Sequence, residues 1–146
     1  MNNITLREMQ ISDYHEVMQL LENTEGVVLR EADSYDAIKI YLERNPQLNY
    51  VAYHDDTIVG CIMAGHDGRR GYLQHLAVDS RYRQKGIARK LVNRTISELE
   101  LISINKSHIF ILKDNDKARV FWEKLGWKKR DDIDMYSFIG TANINC

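Results

Sequence analysis

The spacing of apolar residues in the first third of the chain predicts one strand followed by two helices. The strand begins at Ile4, and Ser12 and Asp13 are suitable caps for the first helix. Apolar residues of that helix recur on one side, at Val17, Met18, Leu20 and Leu21. A second helix is predicted from Ser34 and must end before Pro46, because proline disfavours helical backbone in the preceding residue.

From residue 49 the pattern changes to strands. Three are predicted over residues 50–54, 57–65 and 72–78, and the tight turn at 55–56 makes the first two an antiparallel hairpin. The remaining predicted elements are a long helix from Gly86, a strand over 108–112, a helix over 116–125 between Asn115 and Gly126, and short strands near Trp127 and Tyr136. The order β-α-α-β-β-β-α-β-α-β-β predicts an α/β fold, a mixed sheet with helices on both faces.

Length and composition limit the classes of protein that fit. With 146 residues, 44% hydrophobic residues and one Pro, the chain suits one domain over residues 1–146, with a flexible polar tail at 141–146. The 20 basic and 21 acidic residues give a net charge of -1, which favours neither nucleic acid nor membrane as a partner. No long apolar run or export signal is evident, so a cytoplasmic protein is expected.

The two cysteines do not have the spacing of a disulfide framework or a metal site. Cys61 lies in an apolar run, and Cys146 is the last residue. We therefore expect no metal, and we interpret Cys61 as a small buried hydrophobic residue rather than a nucleophile.

The residues that carry chemistry lie where a buried strand runs through a basic turn into a helix. The strand ends in Leu76-Ala77-Val78, and the turn reads Arg83-Gln84-Lys85-Gly86-Ile87-Ala88. The first amides of a helix have no acceptor within it, and Gly86 has no side chain that would hold an anion away from them. The segment therefore predicts a phosphate site, although a short glycine motif alone also occurs where a glycine merely permits a turn.

Two motifs in this order resemble the GNAT superfamily of acyl-CoA N-acyltransferases. The family's pyrophosphate signature, Arg/Gln-x-x-Gly-x-Gly/Ala after a strand ending in Leu-Ala-Val, matches residues 83–88 and 76–78. A second pattern, Asn-x-x-Ala-x-x-Phe-Tyr-x-x-x-Gly-Phe, resembles residues 115–127. The resemblance implies the GNAT fold, a mixed and mostly antiparallel sheet flanked by helices. With the hairpin at 65–71, the chain is most similar to small bacterial enzymes related to ribosomal-protein N-terminal acetyltransferases.

The resemblance implies an N-acetyltransferase that uses acetyl-CoA as co-substrate and a primary amine as acceptor, by direct attack in a ternary complex. Backbone groups at the end of the fourth strand would pair with pantetheine, which requires one edge of that strand to be free. The turn amides would hold the pyrophosphate, and Asn115 would contact the pantetheine arm as well as cap its helix. The implied cofactor-binding residues are Leu76, Ala77, Val78, Arg83, Gln84, Lys85, Gly86, Ile87, Ala88, Arg89, Asn115 and Trp122.

The residues that would transfer protons depart from the family pattern. Many members have a tyrosine that protonates the leaving sulfur, but the matching residue here is Trp122, whose indole cannot do so and which also fits a buried helix face. Where the family often has a glutamate on the fourth strand, strand alternation puts Tyr72 and Gln74 on one face and His75 on the other. We predict Tyr72 as the proton relay, ahead of His75 and His108, which also fit structural roles. The oxyanion donor would be a backbone N–H within 76–78.

The acceptor is not identified by the sequence. Acidic residues that could attract a cationic amine, or simply form a solvated surface, are Glu22, Glu25, Glu31, Asp33, Asp131, Asp132 and Asp134. A protein N-terminus, a lysine, a polyamine and an amino-sugar antibiotic all remain candidates. Two other classes stay open: a catalytically silent acyl-CoA-binding or sensing module, suggested by Trp122, and an interaction domain without cofactor. The oligomeric state is also open, a homodimer included.

Overall fold

The structure, a computed structural model that describes residues 3–140, is built on one five-stranded sheet. Its strands follow the order of the sequence: β1 Thr5–Glu8, β2 Tyr50–His54, β3 Thr57–His66, β4 Gly71–Val78 and β5 Ser107–Ile109. β1 to β4 pair antiparallel, and β5 pairs parallel to β4. The long connection required by this parallel pair contains a helix, as is usual for such crossovers.

Helices cover both faces of the sheet. They are α1 Tyr14–Glu22, α2 Tyr35–Arg44, α3 Ile87–Leu101 and α4 Asp116–Lys124, with short 3-10 turns at Ile11–Asp13, Glu31–Asp33 and Ser80–Tyr82. α1 and α2 pack against residues such as Val51 and Met63 on one face. α3 and α4 pack against Ile62 and Leu73 on the other. The predicted fold class, a mixed and mostly antiparallel sheet between helices, is confirmed.

Several local predictions are also confirmed. Ser34 Oγ accepts from the Ala37 N–H at 3.2 Å and caps α2, and Asn115 Oδ1 accepts from the Ala118 N–H at 3.1 Å and caps α4. Cys61 is fully buried, and this burial raises the pKa of its thiol to about 12. Asp13 precedes α1 but does not cap it, because its carboxylate instead accepts hydrogen bonds from Arg7 and from the Gln10 N–H.

The two short strands expected near Trp127 and Tyr136 are not formed, and β5 is shorter than the predicted 108–112. A strand requires a hydrogen-bonded neighbour, and residues 128–140 make no backbone hydrogen bond to the rest of the described chain. The predicted tail at 141–146 lies outside the described residues. Within 3–140, no helix is long and apolar enough to cross a membrane.

Candidate active site

β4 is paired with β5 over only the first part of its length. The two strands are paired only at Gly71, Tyr72 and Leu73, which face Ser107, His108 and Ile109. Beyond Leu73, β4 continues to Val78 beside β3 alone. The sequence-based expectation required a free strand edge at this place, and the structure contains one.

The pairing with β3 determines which backbone groups point to the open edge. The Asp79 N–H donates to the Val59 carbonyl at 2.8 Å, and alternate pairs of an antiparallel ladder exchange hydrogen bonds. The next hydrogen-bonded pair is therefore Ala77 with Cys61. Leu76 and Val78, the residues on either side of Ala77, are in non-hydrogen-bonded pairs and direct their N–H and C=O groups away from β3. Of the three strand residues predicted to pair with pantetheine, two thus present backbone groups to the open edge.

A β-bulge in β4 lies beside the point of separation. Ile62 faces Leu76 and Ala64 faces Leu73, so Met63 alone is opposite two residues, Gln74 and His75. Because the extra residue interrupts the alternation, both side chains lie on the face covered by α1 and α2. Gln74 lies beside the Tyr41 hydroxyl of α2, without a hydrogen bond of good geometry, and His75 contacts Asp33. The predicted opposite placement of Gln74 and His75 is wrong for this reason.

The start of α3 is an open anion-binding turn. Gly86 is the residue before the helix, with φ of +78°, and Gln84 also has a positive φ of +63°. No backbone N–H from residue 84 to residue 89 donates to an acceptor in the described chain. A Cβ placed on Gly86 would meet no heavy atom within 4 Å, so the turn is not filled by side chains.

The open strand edge and the helix start line one cleft of about 760 Å³. Such a volume is typical of small-molecule and cofactor sites. Lys85, among the predicted cofactor-binding residues, is exposed and does not line it. The predicted residues that line it are Leu76, Ala77, Val78, Arg83, Gln84, Gly86, Ile87, Ala88, Arg89, Asn115 and Trp122.

Sequence reasoning missed one wall of this cleft. Residues 24–28 and Arg30, from the loop between α1 and α2, lie across from β4. This loop carries no recognised motif, and a glycine at position 26 was its only unusual feature. Its place in the cleft follows from the packing of α1 and α2 on the sheet.

His75 and Asp33 form a polar pair at the bulge. His75 Nε2 lies 2.8 Å from Asp33 Oδ1, both side chains are mostly buried, and His75 lines the cleft. Asp33 Oδ2 also accepts from the Arg30 N–H at 3.0 Å. Burial alone would raise the pKa of Asp33, but the hydrogen bonds from His75 and Arg30 outweigh it and lower that pKa. An ionised carboxylate can only accept hydrogen bonds, so Nε2–H is the donor of this pair, and Nδ1 is the nitrogen of a neutral imidazole that can accept a proton.

Two other predicted site residues have different surroundings. Tyr72 does not line the cleft, and its ring packs against His108 and Phe110 at centroid distances of 5.6 and 6.4 Å. Trp122 is 4% exposed and packs edge-on against Trp127 at 4.7 Å, while also lining the cleft. The expectation of a buried aromatic at position 122 is confirmed, and the proton-relay role of Tyr72 stays a prediction.

Most of the acidic residues considered for acceptor binding already have partners. Asp33 binds His75, Asp131 lies 3.5 Å from Lys129, and Asp132 pairs with Arg130 at 2.9 Å. Glu25 lines the cleft and lies 4.0 Å from Lys117. In the described part of the chain, no group of three or more histidine, cysteine or acidic residues could hold a metal ion.

The sequence matches known acetyltransferases over most of its length. Residues 14–127 match the Acetyltransferase (GNAT) family. An acetyltransferase of Yersinia pestis (strain Pestoides F) is 34% identical over 129 residues, which covers 88% of this chain and 90% of that protein.

Solved structures share the fold. The PaiA N-acetyltransferase from Thermoplasma acidophilum, in complex with coenzyme A, is similar with a TM-score of 0.80 at 19% identity, covering 90% of this chain and 93% of that one. A ribosomal-protein-alanine N-acetyltransferase from Brucella melitensis biovar Abortus 2308 is similar with a TM-score of 0.70 at 21% identity, covering 93% and 98%. At these identities the likeness concerns the fold.

Proposed function

The chain belongs to the acetyltransferase (GNAT) family, and from that premise we propose that it transfers an acetyl group from acetyl-CoA to a primary amine by direct attack in a ternary complex. One observation carries the proposal: the unpaired edge of β4 and the unfilled amide turn of α3 line the same cleft. The first suits an extended amide-containing chain, and the second suits a diphosphate. Coenzyme A has both parts in one molecule.

The chain's own groups suggest how CoA is held. The amides of residues 84–89 bind the diphosphate, helped by the positive end of the α3 dipole. The N–H and C=O groups of Leu76 and Val78 pair with the pantetheine amides as a neighbouring strand would. Arg83 and Arg89 are exposed at the cleft, and Lys85 is exposed beside it. Because ion pairs between exposed groups contribute little free energy, these charges strengthen the binding of the outer phosphates only slightly.

Asn115 contributes to the same wall of the cleft. Its Oδ1 is used to cap α4, so its Nδ2 is the group that remains to donate to pantetheine. Trp122 provides an apolar surface beneath the arm, with Ile87 and Phe121 among the other lining residues. These roles agree with those that the motif resemblance implies.

Bound acetyl-CoA supplies a thioester carbonyl carbon, to which the amine nitrogen bonds as the carbon–sulfur bond breaks and the CoA thiolate leaves. Negative charge develops on the carbonyl oxygen, and the Leu76 N–H at the open edge is the donor we assign to it. The bulge at Gln74 and His75 directly precedes Leu76. This N–H therefore lies beside the place where we expect the amine acceptor to bind. A thiol with a pKa near ~8.5 can depart as the anion, so no acid is required at Trp122.

His75 is the base we assign in preference to Tyr72. The amine must lose a proton as it forms the amide, and an alkyl amine with a pKa near ~10.4 is almost entirely protonated at neutral pH. Asp33 holds the Nε2–H of His75, so Nδ1 is available to take that proton directly or through a water molecule. The ionised Asp33 then stabilises the imidazolium that forms.

The experiment has a binding arm and a turnover arm. Acetyl-CoA at ~100 times its dissociation constant should stabilise the protein by about 2.7 kcal/mol in thermal denaturation. Release of free thiol is then followed with a panel of amines containing peptide N-termini, lysine, a polyamine and an amino sugar. Stabilisation with amine-dependent thiol release supports the proposal. Stabilisation without turnover on any amine would instead favour a sensing module, and no stabilisation would contradict the CoA site itself.

A further inference from the structure

Basic residues meet at the end of the sheet where β4 and β5 begin. The turn between β3 and β4 carries Arg69 and Arg70, and Lys106 directly precedes β5. The Gly71 N–H donates to the Lys106 carbonyl at 3.0 Å, which holds the two segments side by side. Three basic residues from two separate segments are thus neighbours in the fold.

The turn that carries the two arginines is held by hydrogen bonds. Asp67 Oδ1 accepts from the Arg69 N–H at 2.8 Å and from the Arg70 N–H at 2.7 Å. The Gly68 N–H donates to His66 Nδ1 at 3.0 Å. These bonds fix the backbone, while Arg69 is exposed and Arg70 is partly exposed. A fixed backbone lowers the entropy that is lost when the side chains bind a partner.

The charges at this end of the sheet are predominantly positive. Burial lowers the pKa of His108 on β5, and the charges of Lys106, Arg130 and Arg70 lower it further, whereas Asp67 acts weakly in the opposite direction. A further cation is therefore disfavoured beside His108, and an anion is favoured there.

Three of these basic residues keep their charge available. Arg130 is paired with Asp132 at 2.9 Å. Arg69, Arg70 and Lys106 are in none of the ion pairs of the described chain. We call Arg69, Arg70 and Lys106 the basic end of the sheet. Their unbalanced charges, in a chain whose net charge is -1, indicate a site for a negatively charged partner.

An aromatic strip connects the basic end with the cleft. Tyr72 and His108 are paired residues of β4 and β5, and the Tyr72 ring contacts both His108 and Phe110. Leu73 packs beneath α3 and α4, so the strip lies on the opposite face of the sheet, as His75 does. Phe110 is 62% exposed and lines the cleft. The surface beside His75 is thus continuous with the basic end.

The distance along β4 sets the size of a molecule that could contact both places. The Leu76 N–H is the proposed oxyanion donor, and Gly71, which borders the basic end, lies at the other end of the same stretch of β4. Strand residues advance about 3.3 Å each, so the separation is roughly 15 Å. A free amino acid is much shorter than this, whereas an extended peptide covers the distance in about five residues.

We propose that the acceptor is the N-terminus of a peptide whose acidic side chains, about five residues after the amine, bind the basic end of the sheet. This inference rests on the proposed acetyl transfer and names its acceptor. The proposed CoA site takes up the side of Leu76 and Val78, so the acceptor chain leaves the reacting amine toward the basic end. A peptide N-terminus suits this arrangement because its chain continues in one direction only.

Other partners fit the basic end less well. A polyamine or an amino sugar is a cation, which the basic end repels. Nucleic acid binding depends on many phosphate contacts, and the basic end offers three unpaired cations. A peptide with a few carboxylates matches both the number of charges and the distance from the cleft.

The first test compares peptides of equal length that differ in the place of an acidic pair. The pair lies about five residues after the N-terminal amine, or directly after it, or is replaced by asparagines. Dissociation constants are measured by isothermal titration with CoA present, which permits no turnover, and kcat/KM is measured with acetyl-CoA. The first peptide should bind and react roughly 5-fold better than the others, as expected for a few exposed ion pairs. Higher salt should reduce the difference.

The second test removes charges from the basic end. Arg69→Gln with Arg70→Gln should abolish the preference, since it removes two side-chain charges and keeps the backbone N–H groups that bind Asp67. Lys39→Gln with Lys124→Gln is the matched control, because these two exposed lysines do not line the cleft. The control should keep the preference. Circular dichroism establishes that each variant is folded.

The outcomes separate this inference from the proposed function. Lys106→Gln, in the other segment, should also reduce the preference, so the test does not depend on the turn variant alone. A preference that persists without the arginines, or that is as large with the acidic pair beside the amine, would overturn the inference even if every peptide is acetylated. Selective binding without acetylation would support the basic end as a peptide site and contradict the proposed function. Stronger competition by a single-stranded oligonucleotide than by the acidic peptide would overturn the inference in favour of nucleic acid.

Discussion

Gly26 and Asn115 pack against each other at the rim of the cleft. A Cβ on Gly26 would overlap the Asn115 side-chain amide, and Gly26 has a φ of +85°, a conformation that other residues rarely adopt. Asn115 is at the same time the cap of α4. The loop after α1 can therefore contact the start of α4 this closely only with a glycine at position 26. This wall of the cleft depends on that contact.

Gly26→Ala should destabilise the protein and weaken CoA binding. The left-handed backbone costs about 1–2 kcal/mol for an alanine, and displacing Asn115 adds a further ~1–3 kcal/mol. Gly68→Ala is the matched control, because Gly68 has a φ of +91° and a Cβ on it would meet no heavy atom within 4 Å. Urea denaturation and titration with CoA compare the two. Equal losses of stability would contradict the role of the Asn115 contact.

Gly86→Glu should weaken CoA binding by at least ~10-fold, or about 1.4 kcal/mol. The carboxylate would bring negative charge beside the amides that we propose to bind the diphosphate. Gly86→Ala separates the backbone effect from the charge, and Gly68→Glu controls for a new exposed carboxylate elsewhere. Isothermal titration gives the dissociation constants. If Gly86→Glu bound CoA as tightly as the unmodified protein, the diphosphate would have to lie elsewhere.

His75→Asn should lower kcat/KM by ~10²–10⁴-fold while leaving CoA affinity nearly unchanged, because it removes the proposed proton acceptor and not the proposed cofactor site. Asp33→Asn should also lower kcat/KM, by less than His75→Asn, since a neutral amide stabilises an imidazolium less than the ionised carboxylate does. His15→Asn, at an exposed histidine of α1, is the control. An unchanged kcat/KM in His75→Asn, with the loss found instead in Tyr72→Phe, would assign the proton-relay role to Tyr72.

The free energy of unfolding should fall at acid pH because Asp13 becomes protonated. Burial alone would raise the pKa of Asp13, but hydrogen bonds from Arg7 and the Gln10 N–H lower it below its usual value. A lowered native pKa means that the stabilisation is fully present above the unfolded value near ~3.9 and is lost as pH falls through the native value. Asp13→Asn should cost about 1–3 kcal/mol at pH 7 and progressively less below pH ~4.

Denaturant unfolding at several pH values measures this effect, with Asp56→Asn at an exposed turn as the control. The free energy of unfolding of Asp13→Asn should approach that of the unmodified protein as the pH falls. A constant difference between the two proteins from pH 7 to pH 3 would be incompatible with a lowered pKa at Asp13.

The sequence alone determined the family and predicted where the cofactor binds. The strand ending in Leu76-Ala77-Val78, the turn before Gly86 and the capped helix at Asn115 are each built from neighbouring residues. Their hydrogen bonds and backbone angles depend on local chemistry, so their pattern can be read without the fold. The buried Cys61 and most helix boundaries were predictable for the same reason.

Only the tertiary structure decided which side chains meet. His75 and Asp33 are 42 residues apart, and they come together because one extra residue in β4 turns both His75 and Gln74 toward α1 and α2. Strand periodicity cannot reveal a bulge, since its position is set by register against β3. The strand predicted near Tyr136 is a second example. Its apolar residues suit a strand, but a strand forms only where the tertiary structure places a neighbouring strand beside it.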